Sequence, residues 1–284
     1  MTITKICVCG AGTMGSGIAQ VSAQSGFDTI LYELNTAVLE KARLAIEKNL
    51  GSLVEKGKLE ATEREAITRR IQFTNDIREC RTDIVIEAII EKMEAKTDLF
   101  NQLAAINPTD CIFASNTSSL SISSLAKKAA NPGRVVGMHF FNPAPLMKLV
   151  EVVNTSYTAE IVTRDVCDLA KRMGKMPVVC KDSPGFIVNR VARPYYIESL
   201  RLVEEGLADF SQIDLLMEST GFKMGPFKLM DLIGNDVNYA VSCSVYEQLQ
   251  QPERLRPSSI QKDKVEKGEL GRKTKKGYYD YQDK

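Results

Sequence analysis

Histidine is nearly missing from this chain: one residue, His139, stands among 284. With a single imidazole and no clustered cysteines, the sequence argues against a zinc site, which needs several such ligands close together. Cysteine occurs seven times, at 7, 9, 80, 111, 167, 180 and 243. The count is odd, no pair has C-x-x-C spacing, and several fall inside apolar runs, so buried free thiols in a reducing compartment are expected. An excess of charge of either sign is missing too, with 37 Lys plus Arg against 36 Asp plus Glu. No broad cationic field is therefore offered to nucleic acid. No apolar run has the length to span a bilayer. The start MTITKICVCGAG lacks the basic segment and long apolar core of a signal peptide. A cytoplasmic protein with no nucleic-acid or membrane partner is expected. Its residues are 44% hydrophobic, enough for one large domain or two ordinary ones.

What is present has a rhythm. Apolar runs rich in β-branched residues alternate with longer helical patterns. Strands are expected at Lys5–Cys9, Thr29–Tyr32, Ile84–Glu87, Cys111–Ala114, Val135–Met138, Leu149–Val153 and Met176–Cys180. Helices such as Met14–Ser25, Glu91–Ala105 and Ala159–Met173 lie between them. This alternation implies an α/β fold with a doubly wound, mostly parallel sheet of the Rossmann type. From Thr36 to Arg70 the chain is charged and helical, with Gly57 interrupting it. It reads as a helical hairpin projecting from the sheet domain; a solvated surface pair is the plainer reading. At KDSPGF the pattern changes on a turn signal. Helices are expected beyond it, at Phe186–Glu205, Ser211–Thr220, Pro226–Gln248 and Ser258–Lys267. The expected domains are thus 1–183, α/β, and 184–284, all-α.

The stretch KICVCGAGTMGSG carries glycines at 10, 12 and 15 between an expected strand and an expected helix. Gly10 permits a tight turn, Gly12 lets backbone approach a pyrophosphate, and Gly15 lets helix pack on strand. Helix amides following the loop would face the phosphates. Glu33 ends the second strand, about twenty residues on, where a carboxylate accepts from a ribose diol and repels a 2′-phosphate. NAD is favoured over NADP.

His139 follows the strand RVVGM and precedes FFNPAP, and SNTSSL follows the strand CIFA. Ligands of open α/β sheets sit beyond the carboxyl ends of strands, so Ser118 and His139 are candidates to meet there. Glu151 lies in KLVEVVN with apolar neighbours on both sides. A carboxylate buried there needs a partner. His139 is the economical one, giving a base and its orienter; Lys148 or another cation is the alternative.

The segments GAGTMGSGIAQ, EAIIEKMEAK, SNTSSL, GMHFFNPAPLMKLVEVV, KDSPGFIVNR and LGRKTKKGYYDY together resemble the short-chain L-3-hydroxyacyl-CoA dehydrogenases, nearest the bacterial 3-hydroxybutyryl-CoA branch. The resemblance spans essentially the whole chain. It implies an NAD-dependent enzyme that interconverts (S)-3-hydroxyacyl-CoA and 3-ketoacyl-CoA. By position it implies that His139 is the catalytic base, Glu151 its partner, and Ser118 and Asn189 contacts to the reacting oxygen and neighbouring ligand groups. Cofactor contacts are implied for Gly10, Ala11, Gly12, Thr13, Met14 and Gly15 in the loop, and for Glu33, Glu91, Lys96, Ser118, Asn142 and Lys273. The hairpin resembles an arm for coenzyme A, with Lys56 on its phosphates and Asn49 where the family often has serine; Ser118 is implied there as well. Family dimers imply that the helical domain packs on a second copy; packing on its own sheet domain is the alternative. The resemblance leaves NADP open. Rival readings are a dehydrogenase of a hydroxy or sugar acid without coenzyme A, and a non-catalytic NAD-binding protein. The hairpin with Lys56 separates the first rival; joint retention of Ser118, His139, Glu151 and Asn189 separates the second.

Overall fold

KICVC puts alternate side chains on opposite faces of a strand, and with four of its five residues buried it must be covered on both. In the computed structural model, which describes residues 2–282, it is an interior strand of an eight-stranded sheet. The strands are β1 (Lys5–Cys9), β2 (Asp28–Tyr32), β3 (Ile71–Thr74), β4 (Ile84–Glu87), β5 (Ile112–Ser115), β6 (Val135–Phe140), β7 (Leu149–Asn154) and β8 (Met176–Lys181). Their order is β3-β2-β1-β4-β5-β6-β7-β8. The first six run parallel. β7 lies antiparallel to β6, and β8 runs parallel to β7. Because β2 and β4 flank β1, the chain winds outward in both directions from β1, which opens a crevice at the carboxyl ends of β1 and β4.

Helices α1 (Thr13–Gln24), α2 (Thr36–Glu55), α3 (Ala61–Arg69), α4 (Met93–Ala104), α5 (Ile122–Lys128) and α6 (Glu160–Arg172) connect these strands. Two features depart from the sequence reading. β3 and α5 were not expected. The hairpin of α2 and α3 also does more than project: Leu39, Ala42, Ile46, Leu50 and Ile67 are buried in the same core as the sheet. On α2 those residues recur at helical spacing and form one apolar stripe, while the charged residues occupy the other faces. The turn around Gly57, at φ +63°, is the exposed end.

The chain divides into two compact units between Asp182 and Ser183. The second contains α7 (Val188–Glu204), α8 (Phe210–Ser219), α9 (Pro226–Ile233), α10 (Asn235–Gln248) and α11 (Ser259–Glu266). Among its described residues, β structure is limited to isolated bridges such as Gly271 with Lys276. The single helix expected over Pro226–Gln248 is two, because Gly234 adopts φ +104° between them. Tyr196, Leu200, Ile213, Phe227, Met230 and Tyr278 form this unit's core. No helix among the described residues is long and apolar enough to cross a membrane.

Candidate active site

Around the crevice, the glycine loop leaves no spare volume except where a ligand would lie. A Cβ on Gly15 would fall 1.7 Å from the carbonyl oxygen of Gly10, and one on Gly10 would fall 2.5 Å from that of Ala88. A Cβ on Gly12 would meet nothing within 4 Å. Gly12 caps α1 without any side-chain hydrogen bond, so the first-turn amides are left for an anion. Glu33 is held in place by the loop itself: it accepts from Ala11 N at 3.1 Å and from Asn35 N at 3.0 Å. Beside it opens a cavity of about 590 Å³ whose walls include Gly12, Glu33, Leu34, Ile77, Ile90 and Leu99. Aliphatic walls, a carboxylate and open helix amides fit the adenosine and pyrophosphate of a dinucleotide. Glu33 would repel a 2′-phosphate. Ala11 contributes the amide that Glu33 accepts from, Thr13 begins α1, and Met14 packs partly buried against the sheet core.

β6 and β7 supply the second half. Their antiparallel register sets His139 directly opposite Glu151, so both side chains emerge on one face of the sheet. His139 Nδ1 lies 2.8 Å from Glu151 Oε2, with Glu151 only 1% exposed. An ionised carboxylate only accepts, so the neutral imidazole carries its hydrogen on Nδ1 and its lone pair on Nε2. Lys148, the other partner considered for Glu151, is exposed. Asn142 is exposed on the loop after the histidine, in a cis peptide with Pro143. Lys175 Nζ pins that loop by donating to the carbonyls of Ala144 and Met147, at 2.6 and 2.8 Å.

A third group surrounds Ser118. Its amide donates to Glu91 Oε1 at 3.3 Å, and Ser119 Oγ donates to the same oxygen at 2.9 Å. Glu91 Oε2 pairs with Lys96 Nζ at 3.1 Å. Burial pushes the Glu91 carboxyl up, but the Lys96 charge and the hydroxyl of Thr117 outweigh it and hold it below 4.5. Lys96 is itself 1% exposed and also meets Glu87 at 2.6 Å. The loop and the histidine strand are tied together where Phe140 N donates to Asn116 Oδ1 at 2.8 Å. Glu87, Ser115, Asn116 and Thr117 were not singled out from sequence. An acid ending a strand directly after IVI was the available signal for Glu87.

The remaining candidates lie on other elements. Asn49 is exposed on α2, and its amide donates to Gln20 at 3.3 Å. Lys56 is exposed where α2 ends. Asn189 and Lys273 belong to the second unit: Asn189 lies in the first turn of α7, and Lys273 Nζ pairs with Asp236 at 2.5 Å.

A sheet that cradles a dinucleotide at its switch point and sets one acid–base side chain at a neighbouring strand end is the architecture of a nicotinamide-dependent dehydrogenase. Comparison with known families narrows that class. Residues 5–183 match the model described as 3-hydroxyacyl-CoA dehydrogenase, NAD binding domain, and residues 185–281 match 3-hydroxyacyl-CoA dehydrogenase, C-terminal domain. The chain belongs to the 3-hydroxyacyl-CoA dehydrogenase family.

It is 46% identical, over 99% of its length, to a 3-hydroxyadipyl-CoA dehydrogenase of Escherichia coli (strain K12), and spans 60% of that longer protein. It is 40% identical to a 3-hydroxybutyryl-CoA dehydrogenase of Clostridioides difficile, covering 98% of this chain and 99% of that one. The crystal structure of (S)-3-hydroxybutyryl-CoA dehydrogenase from Ralstonia eutropha superposes with a TM-score of 0.94 at 36% identity, covering 99% and 100% of the two chains.

Proposed function

We propose that this protein interconverts an (S)-3-hydroxyacyl-CoA and the corresponding 3-ketoacyl-CoA with NAD(H), the four-carbon pair 3-hydroxybutyryl-CoA and acetoacetyl-CoA being its substrates. The observation that carries the reading is the His139–Glu151 pair, at 2.8 Å across the β6–β7 register. Nicotinamide, when bound, takes or gives the hydride. His139 Nε2 removes the hydroxyl proton at C3 in oxidation and returns it to the oxygen in reduction. Glu151 offsets the positive charge that the ring acquires and fixes its plane. Ser118 and Asn189 donate hydrogen bonds to the oxygen, a contribution that grows as negative charge develops there. Gly10 to Gly15, with Ala11, Thr13 and Met14, carry the pyrophosphate, and Glu33 the ribose; Glu91, Lys96, Asn142 and Lys273 complete the cofactor side. Lys56 holds coenzyme A phosphates at the end of the hairpin, and Asn49, further back on α2, takes part in holding coenzyme A.

The helical unit serves as a dimer surface in this reading, supported by exposed Leu215 and Leu216 on α8 and Leu232 and Ile233 on α9. The test follows nicotinamide absorbance with acetoacetyl-CoA, using NADH and NADPH side by side. It is then repeated with a longer and with a dicarboxylic 3-ketoacyl-CoA. Rapid NADH oxidation, slower with NADPH and with the larger substrates, is expected. Failure of both cofactors while NADH still binds would overturn the acyl-CoA assignment. Best turnover on the dicarboxylic substrate would replace the four-carbon pair by the chemistry for which the E. coli relative is named.

A further inference from the structure

Glu87 ends β4 completely buried, yet the chemistry above makes no use of it. Both of its oxygens are engaged. Oε1 accepts from Lys96 Nζ at 2.6 Å and from Ile89 N at 2.7 Å, while Oε2 accepts from Ser115 Oγ at 2.6 Å. The two branches end on one segment. Lys96 continues to Glu91, which takes the Ser118 amide and the hydroxyls of Thr117 and Ser119. Ser115 Oγ accepts from Thr117 N at 3.3 Å, and Thr117 Oγ1 in turn accepts from the amides of Ser119 and Leu120.

A carboxylate stripped of water is expensive unless paired and hydrogen-bonded, and here its bonds to Lys96 and to Ser115 both lead to the same loop. Burial pushes the Glu87 carboxyl above its ordinary range, and the Lys96 charge and the Ser115 hydroxyl offset only part of that rise. The site needs Lys96 to hold Glu91, and Lys96 is 1% exposed. Without Glu87 its ammonium would be buried against Glu91 alone, whose side chain is 40% exposed.

We infer that Glu87 is a positioning residue: fixed in the sheet, it sets Lys96 and Ser115 and through them the backbone that presents Ser118. The inference builds on the reading of Ser118 as an active-site side chain, so Ser118→Ala is assayed in parallel. That variant judges Ser118; amide hydrogen exchange judges Glu87.

Glu87→Gln, which keeps the shape and removes the charge, is expected to speed exchange at residues 117–120 while β1 and β2 keep their protection. Turnover efficiency should fall roughly 10- to 100-fold, the scale of a small misplacement of reacting groups. In a Lys96→Met background the same change should cost less than about threefold, because coupled residues are not additive. Equal losses in both backgrounds would overturn the inference, as would exchange rising uniformly over the sheet or unchanged exchange at 117–120. Should Glu87→Gln fail to fold, Ser115→Ala cuts the other branch and leaves the ion pair. It must then loosen the same four amides, and intact protection there would equally sink the idea.

Discussion

Each unit of this protein buries carboxylates, and the two sets behave differently. In the sheet unit, Glu151 and Glu87 meet an imidazole and an ammonium, groups that carry charge or exchange protons. In the helical unit, Asp214 and Asp231 meet uncharged donors. Asp214 accepts from Phe227 N, Lys228 N and the Tyr279 hydroxyl, capping α9. Asp231 accepts from Tyr278 N, Tyr279 N, the Asn235 amide and the Tyr281 hydroxyl. Gly271 and Gly277 let the chain pass Asp231, since a Cβ at either would fall 2.3 or 2.0 Å from it. The motif LGRKTKKGYYDY therefore wraps around Asp231 and reaches Asp214 through the Tyr279 hydroxyl. A buried acid alone does not mark chemistry; its partners do.

The contrast breaks first at His139. His139→Gln is expected to cut turnover by roughly 10²- to 10⁴-fold, the scale of positioned acid–base catalysis, with NADH affinity unchanged by fluorescence titration. Near-normal turnover would put its buried pair in the same structural class as Asp231. Glu151→Gln should lose less rate and alter the pH profile; a wild-type profile would remove Glu151 from the proton chemistry.

Asp231→Asn should do the opposite. Loss of about 2–3 kcal/mol in denaturant unfolding is expected from its charged hydrogen bonds, with unchanged kcat per folded molecule. A kcat loss without a stability loss would dissolve the distinction between the units.

Glu91 gives a subtler sign. Its carboxyl is held below 4.5 by Lys96 and neighbouring hydroxyls despite burial. A depressed acid contributes stability above its unfolded value and loses it as pH falls through the folded one. As pH falls through the carboxylate range, Tm should fall less steeply in Glu91→Gln than in the parent. Equal slopes would mean that the acid carries no such load.

The smallest effect concerns sulfur. Cys7, Cys9, Cys80 and Cys111 are buried, and desolvation pushes Cys111 up to about 12. Iodoacetamide should spare these four in the native protein and reach them after unfolding, read by peptide mass. Ready labelling of Cys7 would contradict its burial.

Much of the sheet was legible because its strands are apolar, β-branched and punctuated: β4 begins and ends where the pattern does. β3 was not, since IQFT is four residues long, with Gln72 exposed and no run to announce it. The break at Gly234 was hidden inside a helical period that continues on both sides. His139 and Glu151 were readable as candidates because one is unique and the other interrupts an apolar strand. Glu87 and Asp231 were not, because their meaning depends on partners that spacing does not reveal. Tyr278 lies 47 residues from Asp231, and its contribution is a backbone amide, which every residue owns.

The β6–β7 register has one more consequence, in the order of assembly. His139 and Glu151 are 12 residues apart, joined by a single hairpin loop, whereas the start of β1 reaches Asp83 across 78 residues. Closing a short loop costs less entropy and takes less time than bringing distant parallel strands together. The buried His139–Glu151 pair thus forms a local unit inside a slow, non-local sheet, and a refolding chain can settle its geometry before the cofactor's cradle exists.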